Sequence, residues 1–171
     1  MIHIFSKSRP YADKTAIISN GRSISYHELH QSAEQFAYTL LGGQTDLHEG
    51  RVAFMVQPGF DYVRVQWGIW QAGGIVVPLC LSYPIPSLRY TIENSGANIL
   101  VVSPEFEELM KDLASELGCR FIVLGKNEGG NVQKLPAIDD SRGAMILYTS
   151  GTTNLPKGVV STHANLNAQI K

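Results

Sequence analysis

Short apolar strands alternate with helical patterns through the middle of the chain, and this alternation constrains the fold more than any other feature. Four short strand-like segments are almost wholly apolar, at residues 52–56, 75–79, 99–102 and 121–124. Helical patterns at 60–72, 87–94 and 105–117 fill the intervals between them. A strand that is apolar on both faces must be covered on both faces. The pattern therefore predicts an α/β fold with a mostly parallel sheet and helices on either side.

A hairpin and a well-capped helix precede this region. Asn20-Gly21 separates two short strand-like runs, and both residues tolerate the positive φ angles of a tight hairpin turn. Ser25 and Glu28 form the Ser-x-x-Glu pattern of a capping box. The helix that begins there is expected to stop at Gly42-Gly43. The predicted architecture is thus an N-terminal hairpin followed by the parallel sheet.

Composition narrows the classes of partner. The 171 residues include 14 basic and 15 acidic side chains, and no run of like charge stands out. This balance argues against a nucleic-acid or anionic-membrane surface and favours a small-molecule partner. The sequence shows no secretory signal pattern and no apolar stretch long enough for a membrane span. We therefore expect a cytoplasmic protein with no membrane span.

The two cysteines, Cys80 and Cys119, both stand beside apolar residues. We expect buried or half-buried free thiols, as in a reducing compartment. A disulfide or a catalytic thiol is the alternative.

Histidines and tryptophans offer further candidates. His27 and His30 are three residues apart on the first long helix, without a third ligand nearby, so a solvated face is expected and not a metal site. His163 stands at a helix start, where a structural or capping role is favoured over a ligand-facing one. Trp67 and Trp70 are expected in the core. We predict no metal site in this chain.

The segment from Thr149 to Gly158 carries the chemistry. It follows a strand at residues 144–149 and leads into another extended run, after which Thr162 is a candidate N-cap for a last helix. Its residue types suit a nucleotide phosphate, because hydroxyls and close backbone N–H groups donate hydrogen bonds and an ammonium supplies charge. The candidate phosphate-binding residues are Thr149, Ser150, Gly151, Thr152, Thr153, Asn154 and Lys157.

This segment is not the phosphate loop of ordinary NTPases. That motif requires Gly-Lys followed by Ser or Thr and then a helix. Here Pro156 precedes Lys157, Gly158 follows it, and the next residues are extended. Residues 149–159 resemble instead the signature of adenylate-forming enzymes, Thr/Ser-Ser-Gly-Thr/Ser-Thr-Gly-x-Pro-Lys-Gly-Val. One position departs, since Asn154 stands where that family usually has glycine, and asparagine also accepts a left-handed turn.

Three further segments resemble the same family: Ser25–Leu29, Trp70–Leu79 and Ser161–Leu166. The chain is therefore identified as similar, over essentially its whole length, to adenylate-forming acyl-CoA synthetases. Its framework residues look most like those of malonyl-CoA synthetases.

The resemblance implies a two-step acid–CoA ligase reaction. In such enzymes a carboxylate attacks ATP to give an acyl-adenylate, and coenzyme A then displaces AMP, with Mg²⁺ beside the phosphates. The chain would be the N-terminal portion of the AMP-binding domain, residues 1–171, ending just after the phosphate loop. The family's adenine, metal and acyl segments follow that point, so no complete catalytic residue set is expected here.

Two other interpretations stay open at this level. The chain could be a standalone nucleotide- or phosphate-binding module. It could also be one half of a split enzyme, completed by a downstream polypeptide. The last helix pattern lacks a C-terminal signal, which favours the partial or split enzyme over the module. The acyl substrate cannot be inferred from these residues.

Overall fold

The computed structural model describes residues 2–149 and 155–169, except for the side chain of His3. A six-stranded sheet forms the centre of the described part. Its strands are β3 (Arg51–Met55), β4 (Ile75–Pro78), β5 (Ile99–Val102), β6 (Arg120–Val123), β7 (Gly143–Thr149) and β8 (Lys157–Thr162). Their order is β6-β5-β3-β4-β7-β8, and all neighbours are parallel except β7 and β8. The predicted, mostly parallel sheet is confirmed.

Helices cover both faces of the sheet, as predicted. They are α1 (His3–Ser8), α2 (Tyr26–Leu41), α3 (Phe60–Gln71), α4 (Ile85–Ser95), α5 (Glu107–Glu116) and α6 (His163–Gln169). Short 3₁₀ turns lie at Arg9–Tyr11 and Pro104–Phe106. The sheet and its helices enclose two hydrophobic clusters, one under α2 and α3 and the other under α4 and α5.

The central strands supply both clusters by simple alternation. On β3, Val52 and Phe54 point into the cluster under α2 and α3, while Ala53 and Met55 point into the other. This is the two-residue period of a strand that is buried on both sides. All four side chains are buried, which explains why the sequence of β3 shows no polar face.

The N-terminal hairpin has the predicted turn and cap. Strands β1 (Thr15–Ser19) and β2 (Arg22–Ser25) pair antiparallel around Asn20 and Gly21, whose φ angles are 51° and 75°. The Ser25 hydroxyl accepts a hydrogen bond from the Glu28 N–H at 3.2 Å, and the Ser25 N–H donates to the Glu28 carboxylate at 2.8 Å. Gly42 ends α2 with a φ of 53°.

The loop at residues 125–141 is held by side chains, although it contains no helix or strand. The Arg64 guanidinium donates two hydrogen bonds to the Glu128 carboxylate, at 2.7 and 3.0 Å. Just after the loop, Arg142 donates to Asp46 at 2.7 and 2.9 Å and to the Gly73 carbonyl at 2.7 Å. These paired contacts fix the approach of the chain to β7.

Among the described helices, none combines the length and apolar character that a bilayer crossing requires.

Candidate phosphate-binding site

The two ends of the predicted phosphate segment meet across one strand pair. Thr149 is the last residue of β7, Lys157 is the first of β8, and the two are register partners. Side chains of directly opposed residues lie on the same face of a sheet. Thr149 and Lys157 are both exposed. The remaining predicted ligands, Ser150, Gly151, Thr152, Thr153 and Asn154, lie outside the described residues.

This end of the β7–β8 hairpin presents a cation and a hydroxyl to solvent. Within residues 2–149 and 155–169, no carboxylate forms an ion pair with Lys157. Among the described residues, its ammonium thus has no carboxylate partner. An ammonium beside a hydroxyl donor suits phosphate oxygens, which accept several hydrogen bonds each.

Two tyrosines attach this same end of the hairpin to α4. The Tyr90 hydroxyl donates to the Pro156 carbonyl at 3.1 Å, and the Tyr148 hydroxyl donates to the Asn94 side-chain carbonyl at 2.7 Å. Their rings meet edge to face with centroids 6.5 Å apart. Burial, and secondarily Tyr90, raises the pKa of Tyr148, so its hydroxyl stays a proton donor at neutral pH. These contacts set the position from which Lys157 extends.

Sequence reasoning did not identify this support. Tyr90 and Asn94 are four residues apart on α4 and so share one helix face, but nothing in the sequence shows that this face meets β7. Only the order of strands in the sheet shows that this face of α4 lies beside β7.

Gly158 is needed for a reason different from the one that its motif suggests. The sequence pattern indicates backbone freedom after Lys157. In the structure, a Cβ at Gly158 would lie 2.9 Å from Ile146 Cγ2 and 3.1 Å from the Tyr148 Cζ. Neighbouring side chains thus occupy the space that any other residue would need at this position.

His163 has the structural role that the sequence favoured. It begins α6, directly after β8, and only 2% of it is exposed. Its ring meets the edge of Trp70 at a centroid distance of 5.7 Å, and Trp70 in turn donates from Nε1 to the Ala144 carbonyl at 2.8 Å. Burial lowers the pKa of His163 to about 4. The imidazole is therefore neutral at physiological pH and packs behind the hairpin.

The predictions for the two cysteines and for His27 and His30 are each correct for one residue and wrong for the other. Cys119 is half-buried as expected, but Cys80 is exposed, so that part of the prediction is wrong. Cys80 follows the end of β4 at a turn, where its apolar sequence neighbours do not cover it. His27 is exposed as expected, whereas His30 is half-buried against Phe5, because the unpredicted helix α1 covers it.

Metal ligands do not gather in the described part of the chain. Residues 2–149 and 155–169 contain no group of three or more His, Cys, Asp or Glu side chains placed to hold a metal ion.

The chain is similar to known proteins over nearly its whole length. The family model described as "AMP-binding enzyme" matches residues 5–171. The mitochondrial malonate–CoA ligase of Mus musculus is 34% identical over 180 residues, covering 99% of this chain and 31% of the relative. The malonate–CoA ligase of Arabidopsis thaliana is 32% identical over 195 residues, covering 98% of this chain and 32% of the relative.

A solved structure gives the same result for the fold. Apo MatB from Rhodopseudomonas palustris superposes with a TM-score of 0.82 at 26% identity, over 97% of this chain and 35% of that one. The chain thus spans about a third of the length of the proteins that it matches. The matches extend across both the sheet and the β7–β8 hairpin.

Proposed function

The chain belongs to the AMP-binding enzyme family, and we propose that it forms the N-terminal part of an ATP-dependent acid–CoA ligase. The observation that carries the proposal is the register pairing of Thr149 with Lys157, which brings both ends of the signature segment to one face. The relatives that it resembles over its whole length are named as ligases of malonate and CoA.

The proposed reaction has two steps. A carboxylate oxygen attacks the α-phosphorus of ATP, the bond to the β-phosphate oxygen breaks, and pyrophosphate leaves. The thiolate of coenzyme A then attacks the acyl carbon, and AMP leaves with the former carboxylate oxygen. ATP supplies the leaving group that makes the carboxylate reactive. This chain would act in the first step, where charge on the departing pyrophosphate must be neutralised.

Each described residue has a defined part in that step. Lys157 would place its ammonium against the β- and γ-phosphate oxygens, and Thr149 would donate from the opposite strand. Tyr90 and Tyr148 hold the hairpin, because their hydroxyls donate to Pro156 and Asn94. Ser150, Gly151, Thr152, Thr153 and Asn154 complete the proposed clamp with hydroxyl, amide and backbone donors.

Mg²⁺ and coenzyme A belong to the proposal for the complete enzyme only. The described residues do not fit a magnesium site, since they bring no group of acidic side chains together. No step is therefore assigned to a metal through this chain.

Malonate is the acid that we propose first, because both curated relatives are named for it. The cytoplasmic location stays a prediction; the mouse relative is designated mitochondrial.

Exchange of labelled pyrophosphate into ATP tests the proposal. The chain would be joined to the downstream part of a related malonate–CoA ligase, and exchange would be measured with malonate, with acetate and without acid. We expect exchange that requires malonate and that a Lys157→Ala variant reduces strongly. Exchange that depends on acetate alone would assign a different acid. A folded chimera without acid-dependent exchange would overturn the ligase function.

A further inference from the structure

The peptide group that joins Pro156 to Lys157 is held by a side chain of α4. The Tyr90 hydroxyl donates to the Pro156 carbonyl at 3.1 Å. Tyr90 and Pro156 are both half-buried, so this hydrogen bond is partly shielded from water. The Pro156 carbonyl and the Lys157 N–H belong to one planar unit, so a bond to the carbonyl restrains the orientation of the whole plane. The backbone therefore enters Lys157 in a restrained orientation.

The residue that follows Lys157 is restrained as well. Gly158 is the register partner of Tyr148, and a Cβ at Gly158 would lie 3.1 Å from the Tyr148 Cζ. The hydroxyl of the same tyrosine donates to Asn94 at 2.7 Å. Asn94 lies four residues after Tyr90 on α4, so the two side chains share one face of that helix. Both backbone neighbours of Lys157 are thus held against α4.

The side chain of Lys157, in contrast, is exposed. A lysine carries its charge on a flexible stem of four carbons. Where the ammonium can reach is then decided by the position of the backbone from which the stem extends. Displacement of a reacting or charge-stabilising group by about 1 Å can slow an enzymatic reaction about a hundred-fold. A contact that fixes the backbone beside Lys157 can therefore affect the rate of a reaction at the phosphates.

We propose that Tyr90 is a positioning residue for the phosphate segment: by holding the Pro156 carbonyl, its hydroxyl directs the Lys157 ammonium to the departing pyrophosphate. This inference rests on the proposed ligase function. It adds a residue that lies 66 positions before Pro156 and outside the signature segment. Tyr90 acts through Lys157 in this account, and its effect on the reaction requires the ammonium.

Removal of one oxygen atom tests the proposal. Tyr90→Phe deletes the hydroxyl but keeps the ring, which meets the edge of Tyr148 at a centroid distance of 6.5 Å. Single-turnover rates would be measured in the chimera with the downstream part of a malonate–CoA ligase, at saturating ATP and malonate. Adenylate formation should slow by about two- to ten-fold, the usual effect of one neutral hydrogen bond. Transfer of a pre-formed acyl-adenylate to coenzyme A should be unchanged, because pyrophosphate has already left.

A double-mutant cycle separates positioning from a general effect on the fold. In a Lys157→Ala background there is no ammonium to direct, so Tyr90→Phe should leave the residual rate of adenylate formation unchanged. Tyr11→Phe is the matched control, since Tyr11 is 58% exposed, and it should alter neither half-reaction. Thermal unfolding verifies that each variant is folded at the assay temperature. If Tyr90→Phe melts close to that temperature, the same rates are compared at a lower one.

Each outcome decides the proposal. Slower adenylate formation that disappears in the Lys157→Ala background supports it. An unchanged rate in Tyr90→Phe, with an active parent chimera, would overturn the role of Tyr90 and leave the ligase function intact. Slowing that persists without Lys157, or that affects both half-reactions equally, would also overturn it. A folded parent chimera without acid-dependent pyrophosphate exchange would overturn the ligase function, and the role of Tyr90 with it.

Discussion

The centre of the sheet and its β7–β8 edge are built in contrasting ways. Phe54 on β3 is 1% exposed and Leu100 on β5 is fully buried, and both strands are covered on two faces. At the edge, Leu147 is 47% exposed and Val159 is 52% exposed. The centre thus concentrates the burial that stabilises the fold. Strand β8 contributes little burial, and its first residues and the end of β7 stay accessible to solvent.

The forces that hold the two regions differ accordingly. The central strands are fixed by packing from both sides. Strand β7 of the edge hairpin also packs on the core, through Ala144 and Ile146. The end that carries Lys157 is held in addition by the hydrogen bonds of the Tyr90 and Tyr148 hydroxyls at the contact with α4. Because hydrogen bonds are directional, they can set the position of Lys157 without covering it.

The two regions should differ most in how much stability the chain loses when a side chain is truncated. Phe54→Ala should lower the free energy of unfolding by about 3–5 kcal/mol, because it removes a buried ring and leaves a cavity. Val159→Ala should cost less than about 1 kcal/mol, since that side chain is half exposed. Urea unfolding of both variants measures the contrast. Equal losses would show that the edge is as tightly packed as the centre.

Acid should weaken the junction behind the hairpin. His163 has a folded pKa of about 4, below its ordinary value of 6.5, so the unfolded chain binds the proton more readily. Stability should therefore fall as the pH drops from 6.5 towards 4, by about 3 kcal/mol from this group, and level off below.

A His163→Gln variant isolates that contribution. Its unfolding free energy should lack this part of the pH dependence, whereas the parent chain retains it. If the two pH profiles ran parallel between 6.5 and 4, His163 would not be the group responsible.

Sequence reasoning identified the elements with local signals. The turn at Asn20-Gly21, the capping box of Ser25 and Glu28, and the stop at Gly42 depend on neighbouring residues, and all are confirmed. The Thr162 cap is also confirmed, since its hydroxyl accepts the Asn165 N–H at 3.2 Å. Continuous apolar runs were enough to predict the parallel strands.

The features that the sequence did not predict depend on contacts between residues far apart in the chain. Helix α1 has no side-chain cap and is stabilised by burial of Ile2 and Phe5, which the sequence around it does not reveal. Its omission also explains the wrong prediction of a solvated His30. At the candidate site, the sequence specified Thr149 and Lys157, but only the antiparallel register of β8 shows that they face each other.

A smaller loss of stability should distinguish alanine substitutions at two glycines. Gly158→Ala should destabilise the chain by about 1–3 kcal/mol, because the new methyl group meets Ile146 and Tyr148. Gly129→Ala is the matched control, with no described heavy atom within 4 Å of the added carbon. Thermal unfolding of the pair checks this. A neutral Gly158→Ala would mean that the hairpin shifts easily.

The smallest stability effect is expected at the tyrosine contacts. Tyr148→Phe should cost about 0.5–1.5 kcal/mol through loss of its hydrogen bond to Asn94. Tyr11→Phe, at a residue that is 58% exposed, should be silent. Chemical denaturation compares the two. A silent Tyr148→Phe would remove this contact from the account of how the hairpin is held.

The central claim is that the β7–β8 hairpin serves the triphosphate, and single-turnover kinetics of Lys157→Ala test it most directly. In the chimera used for pyrophosphate exchange, adenylate formation should slow by about 30- to 1000-fold, as for loss of one charged contact worth about 2–4 kcal/mol in the transition state. Transfer from a pre-formed acyl-adenylate to coenzyme A should be unchanged, because pyrophosphate has already left. Arg89→Ala, which removes a half-buried α4 cation that pairs with Glu116, should leave both steps unchanged. Equal slowing of the two half-reactions by Lys157→Ala would contradict the claim.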